Sequence, residues 1–390
     1  MKRTLLVMTA FLLAAASLSA QARLDAMAPK DARTMAMGGA FVAMSEGYQS
    51  LYGNPATFAD TSVEFTAVSF TPWVYVRPTT DNIATFRSVA DSMSSGGADP
   101  TDIIDPVSAL IVDNGFGGGM SAGIGWVGKG LGLGLVGSGE AYVRGNTLLG
   151  AIGTMDGQVS GIVGVGVPLQ IGKLRFQVGG DVRPYVRMTG AIDGGDLIGI
   201  MTGTKTDGVT PFSAMDLPVD VGFGLAVDLG ARMDLGTMVS IGIAVRDIST
   251  KQTFSQSTLG EAFAGGDLPA GANIEYPVYP NITLGASLRP IPAGFRNVVD
   301  VTVIAEIQDP VRVMQDKSSA WNLFHLGVEA DMLGGLFALR TGLNKGWISL
   351  GAGIDLLVFE LNVAVFTEEL GLRPGDKPRT GISLEAAIRF

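Results

Sequence analysis

The chain contains no cysteine and a single histidine, His325. The first absence excludes disulfides, thiolate chemistry, cysteine-held metals and a lipid-modified N-terminal cysteine. The second excludes a histidine-rich metal site. Charged residues are scarce at 16%, and the formal net charge is -10. An acidic chain without a basic patch argues against nucleic acid as a partner. Long apolar runs are missing as well. Hydrophobic residues make up 47% of the chain, yet beyond the N-terminus no apolar run reaches the about 18 residues of a membrane-spanning helix. An apolar chain that cannot cross a bilayer as helices has one other route. It must pair all its backbone groups in a closed barrel.

The N-terminus reads as targeting information. Lys2 and Arg3 precede an apolar stretch from Leu5 to Ala16, and Ala20-Gln21-Ala22 has the small-residue spacing of a signal-peptide cleavage site. Residues 1–22 are therefore expected to be removed. Losing Lys2 and Arg3 takes the formal charge from -10 to -12.

The strongest internal signal has period two. Leu174, Phe176, Val178, Val182, Val186 and Met188 share one parity, and Arg175, Gln177, Asp181, Arg183, Tyr185 and Arg187 share the other. Leu174 to Met188 is 15 residues, or about 50 Å of strand. Ordinary strands stop at roughly 5–6 residues, whereas a tilted membrane strand needs about 9–11. The alternation recurs at 219–229, 299–308, 357–365 and, most cleanly, at 382–390. Fourteen segments are expected, near 62–76, 119–127, 131–143, 157–168, 173–189, 218–230, 237–247, 281–290, 297–308, 321–331, 335–343, 347–355, 357–367 and 380–390. Their connections alternate between short and long, save for the short Asn344–Gly346 on the long side, as the periplasmic turns and extracellular loops of an outer-membrane barrel do. The expected fold is thus all-β, a transmembrane antiparallel barrel of about 14 strands occupying residues 61–390. It would insert into outer-membrane lipid, and the apolar strand ending at Phe390 would present the aromatic signal read by barrel-assembly machinery.

Parity assigns faces. Ionised groups in lipid cost roughly 2–4 kcal/mol each at mid-depth. Arg175, Asp181, Arg183, Arg187, Glu306, His325, Glu329, Arg340 and Glu360 are therefore expected in the lumen, with Asp300, Glu385 and Arg389. Trp73, Tyr75, Trp126 and Phe390 have lipid-facing parity and stand near strand ends, where an aromatic girdle sits. The long first loop is expected to hold short helices at Asn82–Met93 and Pro106–Val112, the latter capped by Asp105.

Motifs for chemistry fail on inspection. Gly123-Ile124-Gly125-Trp126-Val127-Gly128 fits a nucleotide-binding pattern, but Gly130 stands where a magnesium-holding hydroxyl belongs and no helix follows. With 55 glycines, chance matches of this kind are expected. Asp193 and Asp196 fall far short of the about 6–8 oxygens calcium needs. No nucleophile–base pair is evident, so neither an enzyme, a metal site nor a cofactor is expected.

Two long loops carry unusual apolar content. Phe212, Met215 and Leu217 lie in one, and Phe254, Phe263 and Tyr276 in the other. Exposed apolar loop residues imply a binding surface or mutual packing. Lys205 and Lys251 are placed to neutralise a carboxylate head group.

The segment Ala32-Arg33-Thr34-Met35-Ala36-Met37-Gly38-Gly39-Ala40-Phe41-Val42-Ala43, followed by Asn54-Pro55-Ala56, resembles the start of the FadL-type long-chain fatty-acid transporter family of outer-membrane barrels. The resemblance implies that residues 23–60 form a hatch within the barrel. Gly38, Gly39 and Ala40 would allow close backbone approach, and Asn54-Pro55-Ala56 would turn the chain into the first strand. It further implies capture of a hydrophobic molecule such as a fatty acid between the third and fourth long loops, passage past the hatch, and exit through a gap in the wall. The alternative reading is a structural or secretion-accessory barrel that docks a protein.

Overall fold

The computed structural model describes residues 24–60, 62–94, 100–172, 174–205, 208–248, 250–264 and 274–390. The expected signal peptide lies outside these residues. Sixteen strand segments form one sheet. They are β1 Val63–Tyr75, β2 Phe116–Gly128, β3 Leu131–Arg144, β4 Ile152–Ile171, β5 Leu174–Asp193, β6 Pro218–Leu235, β7 Val239–Arg246, β8 Lys251–Thr258, β9 Ile274–Pro277, β10 Asn281–Leu288, β11 Val299–Gln308, β12 Phe324–Met332, β13 Phe337–Asn344, β14 Trp347–Leu356, β15 Phe359–Glu369 and β16 Pro378–Arg389. All named pairings are antiparallel, and β1 with β16 and β5 with β6 join the order into a ring.

Sixteen segments make fourteen strands because two strands are broken. β6 pairs with β7 through Leu229–Leu235 and with β8 through Pro218–Gly224. β8 thus continues the course of β7 after a slip at 247–250. β9 pairs with β8, and β10 pairs with β7, so β9 and β10 are likewise one course interrupted at 278–280. The result is a closed 14-stranded antiparallel barrel with one local discontinuity in its wall.

The outside is apolar. Phe70, Leu135, Val163, Leu225, Leu339, Leu350 and Leu384 are exposed there, while Gln177, Asp228, Glu329 and Glu385 are buried inside. A surface this apolar is too extensive for a water-soluble monomer and suits hydrocarbon. Among the described residues no helix is long and apolar enough to cross a membrane. The strands do it.

One expected face is reversed. Trp73 and Tyr75 point inward, at 5% and 0% exposure, rather than to lipid. The register of β1 against both neighbours shifts near Thr66–Ser69. A bulge adds one residue, and a one-residue slip moves every later side chain to the other face. Trp126 and Phe390 do face outward, and Phe390 stacks on Phe65 at 6.3 Å between centroids.

Residues 24–60 lie inside the ring. Helix α1, Ala32–Ala36, starts at Asp31, whose side chain accepts from the Thr34 N–H, and it packs on β13 to β16. Two 3-10 turns follow, Gly47–Leu51 against β1 to β3 and Pro55–Ala59 against β2 to β6. The wall receives this segment on glycines. A Cβ at Gly134 would stand 2.5 Å from Leu51 Cδ1, one at Gly166 2.5 Å from the Ala59 nitrogen, and one at Gly132 2.5 Å from the Phe58 ring. At Gly179 it would strike the Pro55 carbonyl, and at Gly342 the Gly38 nitrogen. A side chain at Gly166, Gly179 or Gly342 would displace backbone, and one at Gly132 or Gly134 would displace the Phe58 ring or Leu51.

At the end of the barrel with long connections, the loops pack on one another. Helices α2, Thr80–Ser94, and α3, Pro100–Asp113, come from the first loop, and α4, Gly194–Thr202, from the third. Both first-loop helices are longer than expected, and Pro106 lies inside α3 instead of starting it. Val89, Val107, Ile111, Ile192 and Leu217 form a cluster, with Leu197, Ile198 and Phe212 against it. Two more short helices, α5 Leu259–Ala264 and α6 Pro310–Gln315, complete this end.

Overpacking costs typically 1–3 kcal/mol. Gly179→Val and Gly342→Val should dislodge the inner segment without opening the barrel. They should raise conductance in planar bilayers while heat-dependent gel mobility stays normal. Gly139→Val, whose nearest neighbour would be 3.7 Å away, should leave conductance unchanged.

Candidate functional site

The inner segment divides the lumen. On the loop side is a chamber of about 510 Å³, lined by residues 25–31, Trp73, Glu140, Tyr142, Arg187, His325, Phe366, Glu368 and Arg379 among others. On the turn side lie spaces of about 440 and 330 Å³ that share Arg33, Glu46 and Asp60.

A backbone packed inside a barrel leaves polar groups that only the wall can satisfy. Glu306 accepts from the N–H groups of Phe41 at 2.9 Å and Val42 at 2.5 Å. Gln308 Nε2 donates to the Gly39 carbonyl at 2.8 Å. His325 Nδ1 meets the Gly38 carbonyl at 2.7 Å, which makes Nδ1 the protonated nitrogen. Asn54 Nδ2 donates to the carbonyls of Val42 at 3.1 Å and Ala231 at 3.3 Å, and its Oδ1 accepts from Ala56 N–H at 3.1 Å. Gly38 and Gly39 have φ of +69° and +83°, where they pass the backbones of Leu326 and Leu343 and the His325 ring. Ala40 is buried in a cluster with Met37, Ala43 and Ile304.

Ion pairs reinforce the anchoring. Arg33 reaches Glu329 through Nε at 2.8 Å and Nη2 at 2.6 Å, and Arg340 Nε holds the same carboxylate at 2.5 Å. Arg175 meets Asp60 at 3.3 Å. Arg183 bridges Asp228 at 3.2 Å and Asp247 at 2.9 Å beside buried Asp181. Arg187 contacts Asp156 at 3.1 Å and donates to the Asp25 carbonyl at 2.6 Å. Glu360 pairs with Arg389, and Glu385 accepts from the Ala32 N–H.

Leu24 completes the wall. Its N–H donates to the Pro277 carbonyl at 3.0 Å, and its carbonyl accepts from the Tyr279 N–H at 3.0 Å. This parallel bridge to Val278 falls at the interruption between β9 and β10.

The apolar loop residues are dispersed. Leu217 and Phe212 belong to the loop cluster, and Lys205 Nζ lies 5.9 Å from the Phe212 ring centroid. Phe254 is buried on β8, while Met215 and Phe263 are exposed. Lys251 and Tyr276 lie on β8 and β9 within one ladder. Phe212, Met215, Leu217, Phe254, Phe263 and Lys205 do not line the loop-side chamber. Besides the expected lumen residues Arg187 and His325, that chamber is lined by Lys30, Trp73, Tyr142, Phe366, Glu368 and Arg379. Trp73 was expected to face lipid, and Glu368 and Arg379 fall between the expected strands 357–367 and 380–390. Glu140 had the signal, a charge of inward parity on β3.

At the chamber rim, outside the spanning strands, burial pushes the Asp309 carboxyl up to about 6 against the pull of Lys345 and Arg312. Burial likewise lowers Lys345. Asp309 accepts from Asn281 Nδ2 at 3.1 Å and from the Ile282 N–H at 3.3 Å.

No family model and no curated protein matches the chain. Among solved structures it is similar to the Pseudomonas putida toluene transporter TodX, at 12% identity, TM-score 0.46, covering 94% of this chain and 99% of that one. It is also similar to the Ralstonia pickettii toluene transporter TbuX, at 13% identity, TM-score 0.46, covering 93% and 98%. A Pseudomonas aeruginosa FadL homologue matches at 10% identity, TM-score 0.45, covering 95% and 99%. Similarity of this size says nothing of substrate.

Removing one partner of a buried pair leaves the other charge uncompensated, at about 3–5 kcal/mol. Glu329→Ala leaves Arg340 with Asn362 but no carboxylate and Arg33 with Glu46 alone, and it should lower unfolding stability in lipid vesicles by about that amount. Arg87→Ala breaks only an exposed contact on α2 and should change it by less than about 0.5 kcal/mol. Asp309 supplies a pH test. An acid with a raised folded pKa contributes stability that is full below about pH 4 and is lost as pH rises through about 6. Asp309→Asn should therefore be more stable than the parent at pH 7.5 and gain nothing at pH 4, as read by thermal unfolding.

Proposed function

We propose that this protein is an outer-membrane channel for passive uptake of hydrophobic molecules, with residues 24–60 as its hatch. The observation that carries the reading is the divided lumen. A general diffusion pore needs a continuous aqueous path, and here a glycine-seated segment fills the barrel at mid-height. The loop-side chamber, about 510 Å³, falls within the roughly 300–1,000 Å³ of small-molecule sites. Its lining joins Met27, Pro29, Met35, Trp73, Phe366 and Leu370 to several ionic groups. An apolar body with a polar head suits such a lining, and a long-chain fatty acid is one molecule of that class. A hatch so seated favours sideways exit over expulsion of the plug, and the broken strands at 247–250 and 278–280 offer the place. The loop end would face outward from the cell after signal-peptide removal near Ala22, with the exposed Phe390 strand read by the barrel-assembly machinery in a Gram-negative-type envelope.

Deleting 23–56 should raise planar-bilayer conductance several-fold. Uptake of a hydrophobic solute into proteoliposomes should be saturable in the parent. Free swelling of parent proteoliposomes in small hydrophilic solutes would mean a diffusion pore and sink the proposal.

A further inference from the structure

Lys30 sits in an unusual setting for a lysine. Its Nζ donates to Tyr75 Oη at 2.7 Å, Glu140 Oε2 at 2.9 Å and Glu368 Oε2 at 3.0 Å. All three N–H bonds are thereby used. The same nitrogen lies 5.3 Å from the Trp73 ring centroid and 5.4 Å from that of Tyr75, within the roughly 6 Å reach of cation–π attraction. Every partner comes from the wall, on β1, β3 and β15, whereas Lys30 comes from the inner segment. Arg379 on β16 fixes the two carboxylates from the other side, at 2.8 Å to Glu140 and 2.7 Å to Glu368. Its guanidinium lies 4.1 Å from the Tyr75 centroid. Two carboxylates thus face two cations. Without Lys30 the wall alone would hold one uncompensated negative charge beside two aromatic faces, open to the loop-side chamber.

We propose that Trp73, Tyr75, Glu140 and Glu368 form a recognition site for the primary ammonium head of an amphiphile, and that Lys30 is its resident occupant. This rests on the reading of the chamber as a receiver of hydrophobic solutes, and it names the head group that this one corner selects, the chamber's Arg187, Arg312 and Lys345 lying outside the Lys30 cluster. Three oxygens arranged around one nitrogen match three N–H donors. A carboxylate would meet Glu140 and Glu368 with like charge, and an alcohol brings one donor where three acceptors wait. An arriving amine competes with Lys30. Lys30 is tethered, so it competes at the high effective concentration of an intramolecular ligand. Its displacement also detaches residues 25–30 from β1, β3 and β15, leaving them held at Leu24, at the Asp25 contacts with Arg187 and Arg312, and by the Lys30 N–H to Ser121 Oγ on β2.

The test uses the full detergent-folded protein and three probes with one chain and different heads: hexylammonium, hexanoate and hexanol. Equilibrium dialysis should show Lys30→Ala binding hexylammonium at least tenfold more tightly than the parent, with hexanoate and hexanol unchanged. Adding Glu368→Gln to Lys30→Ala should remove the gain. An equal gain for all three heads would show that the substitution only made space, and it would overturn the proposal. No gain for hexylammonium while hexanol still binds the parent would overturn the site and leave the channel reading intact. No binding of any probe to either protein would overturn both. Should Lys30→Ala fail to fold, judged by heat-dependent gel mobility, the parent answers alone. Hexylammonium but not hexanoate should then speed hydrogen exchange at residues 25–30, and equal rates with both would overturn the proposal.

Discussion

The structure depends on a backbone that runs through the inside of a barrel. Such a backbone brings unpaired N–H and C=O groups into a space with little water, and each unpaired group there is costly. The wall solves this with two kinds of residue. Glycines let the segment approach to backbone contact, and long polar side chains between them reach its free groups. Gly342 and Gly179 do the first at opposite sides of the ring, and Glu306, Gln308 and His325 do the second, while Asn54 within the segment bonds Val42, Ala56 and the wall carbonyl of Ala231. Neither works without the other. A side chain on the glycines would hold the segment off, and a segment held off would leave buried Glu306 with Gln308 alone and buried Glu329 with Arg340 alone.

This arrangement also explains the composition. The outward face has only to be apolar, and its alternation with the inward face gives a high hydrophobic fraction with few charges. The inward face cannot be apolar, because it touches backbone. It therefore collects nearly all the buried ionic groups, in pairs and triads such as Arg33, Glu329 and Arg340. Those triads tie the N-terminal segment to strands almost 300 residues later in the chain. The break in the wall at β7/β8 and β9/β10 follows the same logic. Where the ladder slips, Leu24 supplies the missing backbone partner.

Much of this was legible beforehand. The fourteen courses and the antiparallel closed barrel they form follow from period two and the cost of charge in lipid. Strand ends were less exact. β4 begins at Ile152, and Ala320–Leu323 is a 3-10 turn preceding β12. Trp73 and Tyr75 were misassigned because parity arithmetic assumes an unbroken strand, and a bulge at Ala67 leaves no residue signature. The apolar loop residues were recognisable as unusual. Their division between mutual packing, as for Leu217, and exposure, as for Phe263, depends on which loop meets which.

By itself the sequence determined what period two and composition can carry: a membrane barrel, its strand number, the alternation of its faces, and an N-terminal segment bearing a family-like pattern. These are local properties, since each strand's faces are set by its own alternation. Only the tertiary structure decided which glycines receive the inner segment, where the wall breaks, and that Lys30 meets Tyr75, Glu140 and Glu368. Those contacts join residues separated by 45, 110 and 338 positions. They exist because closing a barrel brings its first and last strands together around whatever lies inside, and no spacing along the chain encodes that meeting.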